Sequence, residues 1–136
     1  MKRVLFLEKP EKYRLKEDGT SSEYDAMQHW FGKFGCRSKL VLSLAEADFE
    51  ISKGDVGVLL VHYGDENPAD LRKKYPHVKY LACSGPVKES DCREKTHFVQ
   101  FLLEKYEEVV WGHMDAAARI AIILKEQEKA GVQSCP

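Results

Sequence analysis

The chain has 136 residues, of which 43% are hydrophobic and 32% are charged, and its formal net charge is −1. This length fits one domain, and this composition allows a buried core beneath a charged surface. A nearly neutral chain without a basic excess is not expected to bind nucleic acid. The first apolar run stops at Glu8, too early for a signal peptide, and no stretch is long enough to span a bilayer. We therefore expect a cytoplasmic protein without a membrane partner.

Four cysteines are spread along the chain, at positions 36, 83, 92 and 135. None of them forms a C-x-x-C pair, and the histidines do not stand at the spacing of a zinc site. Free thiols in a reducing compartment are the expected state. The sequence predicts no metal site and no cofactor.

Apolar segments alternate with helical patterns along the chain. The run Arg3–Leu7 is apolar and of strand length, as expected for a strand that is covered on both faces. After a polar stretch, residues 22–34 carry apolar side chains at three- and four-residue spacing, which predicts an amphipathic helix. A second strand is predicted over residues 38–42. A second helix is predicted over Leu44–Ser52, with Ser43 as its N-cap.

The third strand is predicted by an apolar run that ends at His62, and a polar cluster containing Asp65 follows it. Pro68 opens the third helix, since proline is common at the first helical position. A fourth strand over residues 77–83 ends before a turn signal that starts at Ser84. Sites of open α/β sheets form at the carboxyl ends of strands. The polar residues after these strands therefore mark a candidate site.

The last part of the chain is harder to interpret. Residues 97–103 have strand length and β-rich composition, and we favour a fifth strand there, although the same apolar residues also fit a helical face. The last helix is predicted over residues 107–130. Its apolar arc is wider than one core face, because Trp111, Ile120 and Ile123 extend it. We interpret these three residues as an interface for a homodimer or a protein partner, with burial on two sides as the alternative.

This alternation of strands and helices predicts a three-layer α/β/α domain. Its sheet is expected to hold five parallel strands in the flavodoxin-like order 2-1-3-4-5. Residues 1–131 are expected to form this single domain, and residues 132–136 a flexible carboxyl-terminal tail.

The element order and several strand-end residues resemble a degenerate two-component receiver domain. Receiver domains carry acidic residues after the first strand and a phosphoacceptor aspartate after the third. Here Glu8 is followed by a lysine, and the third strand ends at His62 with Asp65 farther along. The hydroxyl residue after the fourth strand and the lysine after the fifth correspond to Ser84 and Lys105. Because one glutamate beside a lysine is a poor site for Mg²⁺, the resemblance implies a pseudo-receiver that is not phosphorylated.

Two functions are compatible with these patterns. The first is a receiver-like signalling module that acts through protein contacts made by its last helix. The alternative is a small-molecule or nucleotide-binding protein, or an enzyme, with a pocket at the strand ends. The residues predicted to line that pocket are Glu8, His62, Asp65, Ser84 and Lys105. No catalytic residue is assigned. The sequence favours a protein that is not an enzyme, and an enzyme stays the alternative.

Overall fold

The architecture is given by a computed structural model, which describes residues 1–9, 22–63, 66–84, 100 and 102–133. In these parts of the chain, five parallel strands form one sheet in the order 2-1-3-4-5. Helices between the strands cover both faces of the sheet. The predicted flavodoxin-like α/β fold is thereby confirmed.

The strands are β1 (Arg3–Leu7), β2 (Ser38–Val41), β3 (Val56–His62), β4 (Lys79–Ser84) and β5 (Glu108–Trp111). The helices are α1 (Ser22–Lys33), α2 (Leu44–Ser52), α3 (Ala69–Lys74) and α4 (His113–Gln133). Between Ser84 and β5, the described residues Gln100, Leu102 and Leu103 are helical.

The sheet separates two apolar clusters, because successive side chains of a strand point to opposite faces. In β1, Val4 and Phe6 join the cluster beneath α1 and α4, whereas Leu5 and Leu7 join the cluster beneath α2 and α3. Every residue of the central strand β3 is buried. This explains why the sequence of β3 is a continuous apolar run rather than an alternating one.

Gly57 in β3 allows α4 to pack directly against the sheet. A Cβ atom at this position would lie 2.6 Å from Cδ2 of Leu124 and 3.1 Å from Cβ of Lys2. The side-chain amide of Gln127 also donates a hydrogen bond to the carbonyl oxygen of Gly57, at 2.9 Å. A glycine is therefore needed here for close approach rather than for an unusual backbone angle.

A buried carboxylate holds together the amino ends of the first two strands. The side chain of Glu50 is 3% exposed and accepts a hydrogen bond of 2.8 Å from Nη2 of Arg3. It also pairs with Lys39 and with Lys53, the latter at 3.3 Å. The hydrogen bond from Lys39, followed by that from Arg3, lowers the pKa of Glu50 to about 2. The carboxylate therefore stays ionised although it is buried.

The fifth strand lies later in the chain than predicted. The predicted strand over residues 97–103 is wrong, since its described residues are helical and Leu102 is fully buried in the cluster beneath α2 and α3. The true strand β5 occupies residues that we had assigned to the start of the last helix. Gly112, with a φ of 75°, separates this strand from α4. The left-handed conformation of Gly112 stops the strand and lets the helix begin at His113.

Helix α4 continues to Gln133, past the predicted start of the tail at position 132. Residues 134–136 lie outside the described part of the chain. No helix among the described residues is long and apolar enough to cross a membrane.

Candidate functional site at the strand ends

The strand pairing brings several polar side chains to one edge of the sheet. In the register of the sheet, Leu7 is opposite Val61 and His62 is opposite Cys83. Ser84 is in turn opposite Trp111, the last residue of β5. Glu8, His62 and His113 therefore all stand at or just beyond the carboxyl ends of strands β1, β3 and β5, at the edge where sites of this fold class form.

Two histidines converge on one carboxylate oxygen at this edge. Oε2 of Glu23 lies 2.8 Å from Nε2 of His113 and 3.7 Å from Nε2 of His62. We call these three residues the His–Glu–His cluster. They come from the first turn of α1, the end of β3 and the start of α4. The cluster thus links two helices on one face of the sheet to the end of its central strand.

The members of the cluster differ in their access to solvent. The side chains of Glu23 and His113 are 41% and 40% exposed, whereas that of His62 is 6% exposed. The ring of His62 lies between those of Phe6 and Tyr63, at centroid distances of 5.7 and 4.1 Å. His62 thus lies at the edge of the apolar core. Solvent reaches the cluster through Glu23 and His113.

Tyr63 adopts a backbone conformation that is unusual for a side-chain-bearing residue. Its φ is 55°, in the left-handed region. Its N–H donates a hydrogen bond of 2.7 Å to the carbonyl oxygen of Cys83, and its ring is tilted by 32° to the ring of His62. The chain therefore turns sharply after β3, and Tyr63 covers His62. Such backbone strain persists only where surrounding contacts enforce it.

Glu8 and Lys9 follow β1 at the same edge. Glu8 is 1% exposed, and its N–H donates a hydrogen bond of 3.1 Å to the carbonyl oxygen of Val41. Nζ of Lys9 lies 3.2 Å from a carboxylate oxygen of Glu66. In the described residues that follow β1, the buried carboxylate of Glu8 thus stands next to an ion-paired cation.

Cys83 is a buried thiol rather than an activated nucleophile. Burial is the largest cause that raises its pKa to about 12, and the charges of Glu23 and Glu8 also act in this direction. The hydrogen bond from the backbone of Tyr63 opposes the shift. The raised pKa favours the neutral thiol near neutral pH, whereas the thiolate is the reactive form.

The structure brings together only part of the predicted pocket. Glu8 and His62 are at the strand ends, as expected from their sequence positions. Asp65 lies outside the described residues, and so does the side chain of Ser84, which ends β4. The placement of Lys105 in this pocket is wrong. Lys105 precedes β5 and therefore lies near the amino ends of the strands, where its carbonyl oxygen accepts a hydrogen bond of 2.9 Å from Arg72.

The predicted interface on the last helix also needs correction. Ile120 and Ile123 are 0% and 2% exposed and pack in the cluster between the sheet and α1. They cannot line a docking surface, because they are already buried inside the protein. Burial on two sides explains the wide apolar arc of this helix. Trp111 is partly exposed at the end of β5. The large apolar side chains that are exposed in the described part of α4 are instead those of Met114 and Ile122, each 50% exposed.

Sequence reasoning missed two of the three members of the His–Glu–His cluster. In the sequence, Glu23 is an acidic residue near the start of a predicted helix, and His113 lies within the predicted last helix. Gly112 was the available signal, since a glycine inside a helical pattern lowers confidence in that helix. Among the described residues, no group of three His, Cys, Asp or Glu side chains is arranged to hold a metal ion.

Comparisons with solved structures support the fold, whereas comparisons with family models and curated proteins find no match. No protein-family model and no curated protein matches the chain. One similar structure is an atypical orphan response regulator with a phosphorylation-independent regulatory mechanism. Its TM-score is 0.63 at 15% identity, over 90% of this chain and 95% of that one.

Two further structures share the same fold. The signal receiver domain assigned to a Luxo repressor protein from Vibrio parahaemolyticus has a TM-score of 0.66 at 10% identity, over 99% and 98% of the two chains. A member of a family of redox sensors in the streptococci, which evolved from two-component response regulators, has a TM-score of 0.61 at 18% identity. The similarity to that protein covers all of this chain and 56% of the other. The chain thus has the fold of receiver domains.

Proposed function

We propose that this chain is a receiver-type signalling module that works through protein contacts and is not phosphorylated at its strand ends. The receiver fold supports the signalling role. The observation that carries the proposal is His62, which ends β3 where the resemblance places a phosphoacceptor aspartate. Its imidazole is nearly buried, with its Nε2 atom directed at Glu23 and the ring of Tyr63 over it.

The charges around His62 also disfavour phosphoryl transfer. Transfer to an aspartate requires Mg²⁺, which prefers several oxygen ligands in octahedral geometry. The described strand ends offer the carboxylate of Glu8, while that of Glu23 contacts two imidazoles. The cation of Lys9 stands where receivers carry a second acid. A similar orphan regulator is described as having a phosphorylation-independent mechanism, so signalling without phosphate is compatible with this fold.

The proposed protein contact lies on the solvent side of α4. Met114 and Ile122 are each 50% exposed there. They are about two helical turns apart, so both belong to one broad face of the helix. Trp111, which is partly exposed, ends β5 two residues before this helix begins. We assign the contact to a second copy of the chain, or to another protein that binds the same face.

Self-association tests this assignment directly. Light scattering is measured over a range of concentrations for the wild type, for Ile122→Glu and for a matched control, Phe49→Glu. Phe49 is 64% exposed on α2, away from the proposed contact. We expect a dimer in the wild type that is lost in Ile122→Glu and kept in the control. A wild type that is monomeric throughout, or equal effects of both substitutions, contradicts self-association through α4.

A further inference from the structure

A groove lies near the amino ends of β4 and β5, at the opposite end of the sheet from the His–Glu–His cluster. Its volume is about 380 Å³, and it runs between α3 and Glu107, the residue that precedes β5. Val78 and Tyr80 form its base, and both are 1% exposed. Pro76, which is exposed, borders it. The base of the groove is thus buried and largely apolar.

The wall formed by α3 is cationic. The last turn of this helix is basic, and Arg72 and Lys73 line the groove. The guanidinium of Arg72 is half-buried and is oriented by its hydrogen bond of 2.9 Å to the carbonyl oxygen of Lys105. A guanidinium has five N–H donors in a planar fork, so this contact leaves donors for a carboxylate. Arg72 is therefore held in position before any partner arrives.

Among the described residues that line the groove, the one carboxylate is already engaged. Oε2 of Glu107 accepts a hydrogen bond of 2.7 Å from the backbone N–H of Tyr80. The N–H of Glu107 in turn donates to the carbonyl oxygen of Tyr80, at 2.8 Å. These contacts tie Glu107 to the edge of β4. Within the described part of the chain, the two cations of α3 thus outnumber the one acid that lines the groove.

We propose that this groove docks an acidic segment of a protein partner, with a carboxylate on Arg72 and Lys73 and an apolar side chain against Pro76. Charge complementarity selects this occupant, because a planar guanidinium binds carboxylates through paired hydrogen bonds. The inference rests on the proposed function, since it assumes that the module works through protein contacts. It adds a second surface to the one on α4 and states the chemistry of what binds there.

Peptide binding tests the proposal. The probe is a fluorescein-labelled peptide of alternating glutamate and leucine, compared with the same peptide carrying lysine for glutamate. Fluorescence anisotropy is measured with the wild type, with the double variant Arg72→Gln/Lys73→Gln and with the control Lys33→Gln/Lys125→Gln. Backbone amide shifts of the wild type, measured by NMR, locate the bound peptide. Thermal unfolding of each variant shows that it is folded.

We expect the acidic peptide to bind, to shift the amides of Val78 and Tyr80, and to bind at least about tenfold more weakly to the double variant. The control variant should bind as the wild type does. Absence of binding at millimolar protein, equal binding of the lysine peptide, or equal weakening in the control overturns the proposal. So does loss of self-association in Arg72→Gln/Lys73→Gln, because the occupant would then be a second copy. If the acidic peptide does not bind, the expected light-scattering result for Ile122→Glu stays the same. The proposal for the groove and the proposal for α4 can therefore fail separately.

Discussion

The Nε2 atom of His113 lies 2.8 Å from the Oε2 atom of Glu23, and this contact joins the amino ends of α4 and α1. Both helices pack on the same face of the sheet. A carboxylate is favourable at a helix amino end. Glu23 thus suits its place in the first turn of α1, and it contacts His113 beside the buried His62.

We expect Glu23 and His113 to be coupled weakly but measurably. Both side chains are about 40% exposed, so solvent screens their interaction, and the coupling free energy should be about 0.5 kcal/mol. Urea unfolding of the wild type, Glu23→Gln, His113→Ala and the double variant gives this value. His77→Ala, which changes an exposed histidine elsewhere, is the control. Strict additivity of the two substitutions would show that the contact does not stabilise the fold.

Glu50 should make the folded state sensitive to acid. Its pKa is about 2 in the folded protein against an ordinary 4.5. The unfolded state therefore binds this proton first as pH falls. The stabilising contribution of the carboxylate is complete above about pH 4.5 and is lost as pH falls towards 2.

The matching variant is Glu50→Gln. We expect it to lower the free energy of unfolding at pH 7 by roughly 2 kcal/mol, because charged hydrogen bonds to Arg3 and Lys39 are lost. The difference from the wild type should shrink between pH 4.5 and pH 2. Glu104→Gln, at an exposed position, should show neither effect. A difference between wild type and Glu50→Gln that stays constant over this pH range would rule out the assignment.

Gly57→Ala should destabilise the fold by about 1–3 kcal/mol, because the added methyl group forces Leu124 and Gln127 of α4 away from β3. The matched control is Gly32→Ala in α1, where an added Cβ meets no atom within 4 Å in the described structure. Alanine favours a helix over glycine, so the control should gain up to about 1 kcal/mol. Urea unfolding measures both. An unchanged stability of Gly57→Ala would mean that α4 does not pack as closely as described.

Cys83 should resist chemical modification in the folded protein. With a pKa of about 12, its thiolate fraction at pH 8 is at least about a thousandfold below that of an ordinary cysteine. Iodoacetamide treatment followed by peptide mass analysis measures its modification in the folded and urea-unfolded chain. Rapid alkylation in the folded protein would contradict this account.

The sheet could be predicted because its strands carry strong local signals. The run from Val56 to His62 is buried on both faces, so its sequence is continuously apolar. Strand β5 has only four residues, and Val109 and Val110 also fit the helical face that continues into α4. The stronger apolar run at residues 97–103 therefore favours a fifth strand at the wrong place in the chain. Placing the strand too early moved Lys105 to the wrong end of the sheet.

The site could be predicted less well, because its contacts are between residues far apart in the chain. The interaction between Glu23 and His113 joins positions separated by 90 residues. No local pattern specifies such a pair. The exposed side of α4 could not be separated from its buried side either, since Ile120, Ile122 and Ile123 are identical in type. Packing against α1 buries the first and last of these and leaves Ile122 exposed.

The measurement that tests the central claim most directly is the intact mass of the protein after incubation with Mg²⁺ and a small phosphodonor such as acetyl phosphate. Wild type and Asp65→Asn are compared, with a phosphorylatable receiver domain as the positive control. Our account predicts that neither form of this chain gains the mass of a phosphoryl group while the control does. A phosphoryl adduct on the wild type that is lost in Asp65→Asn would show that the strand ends accept phosphate, and would contradict the proposed function.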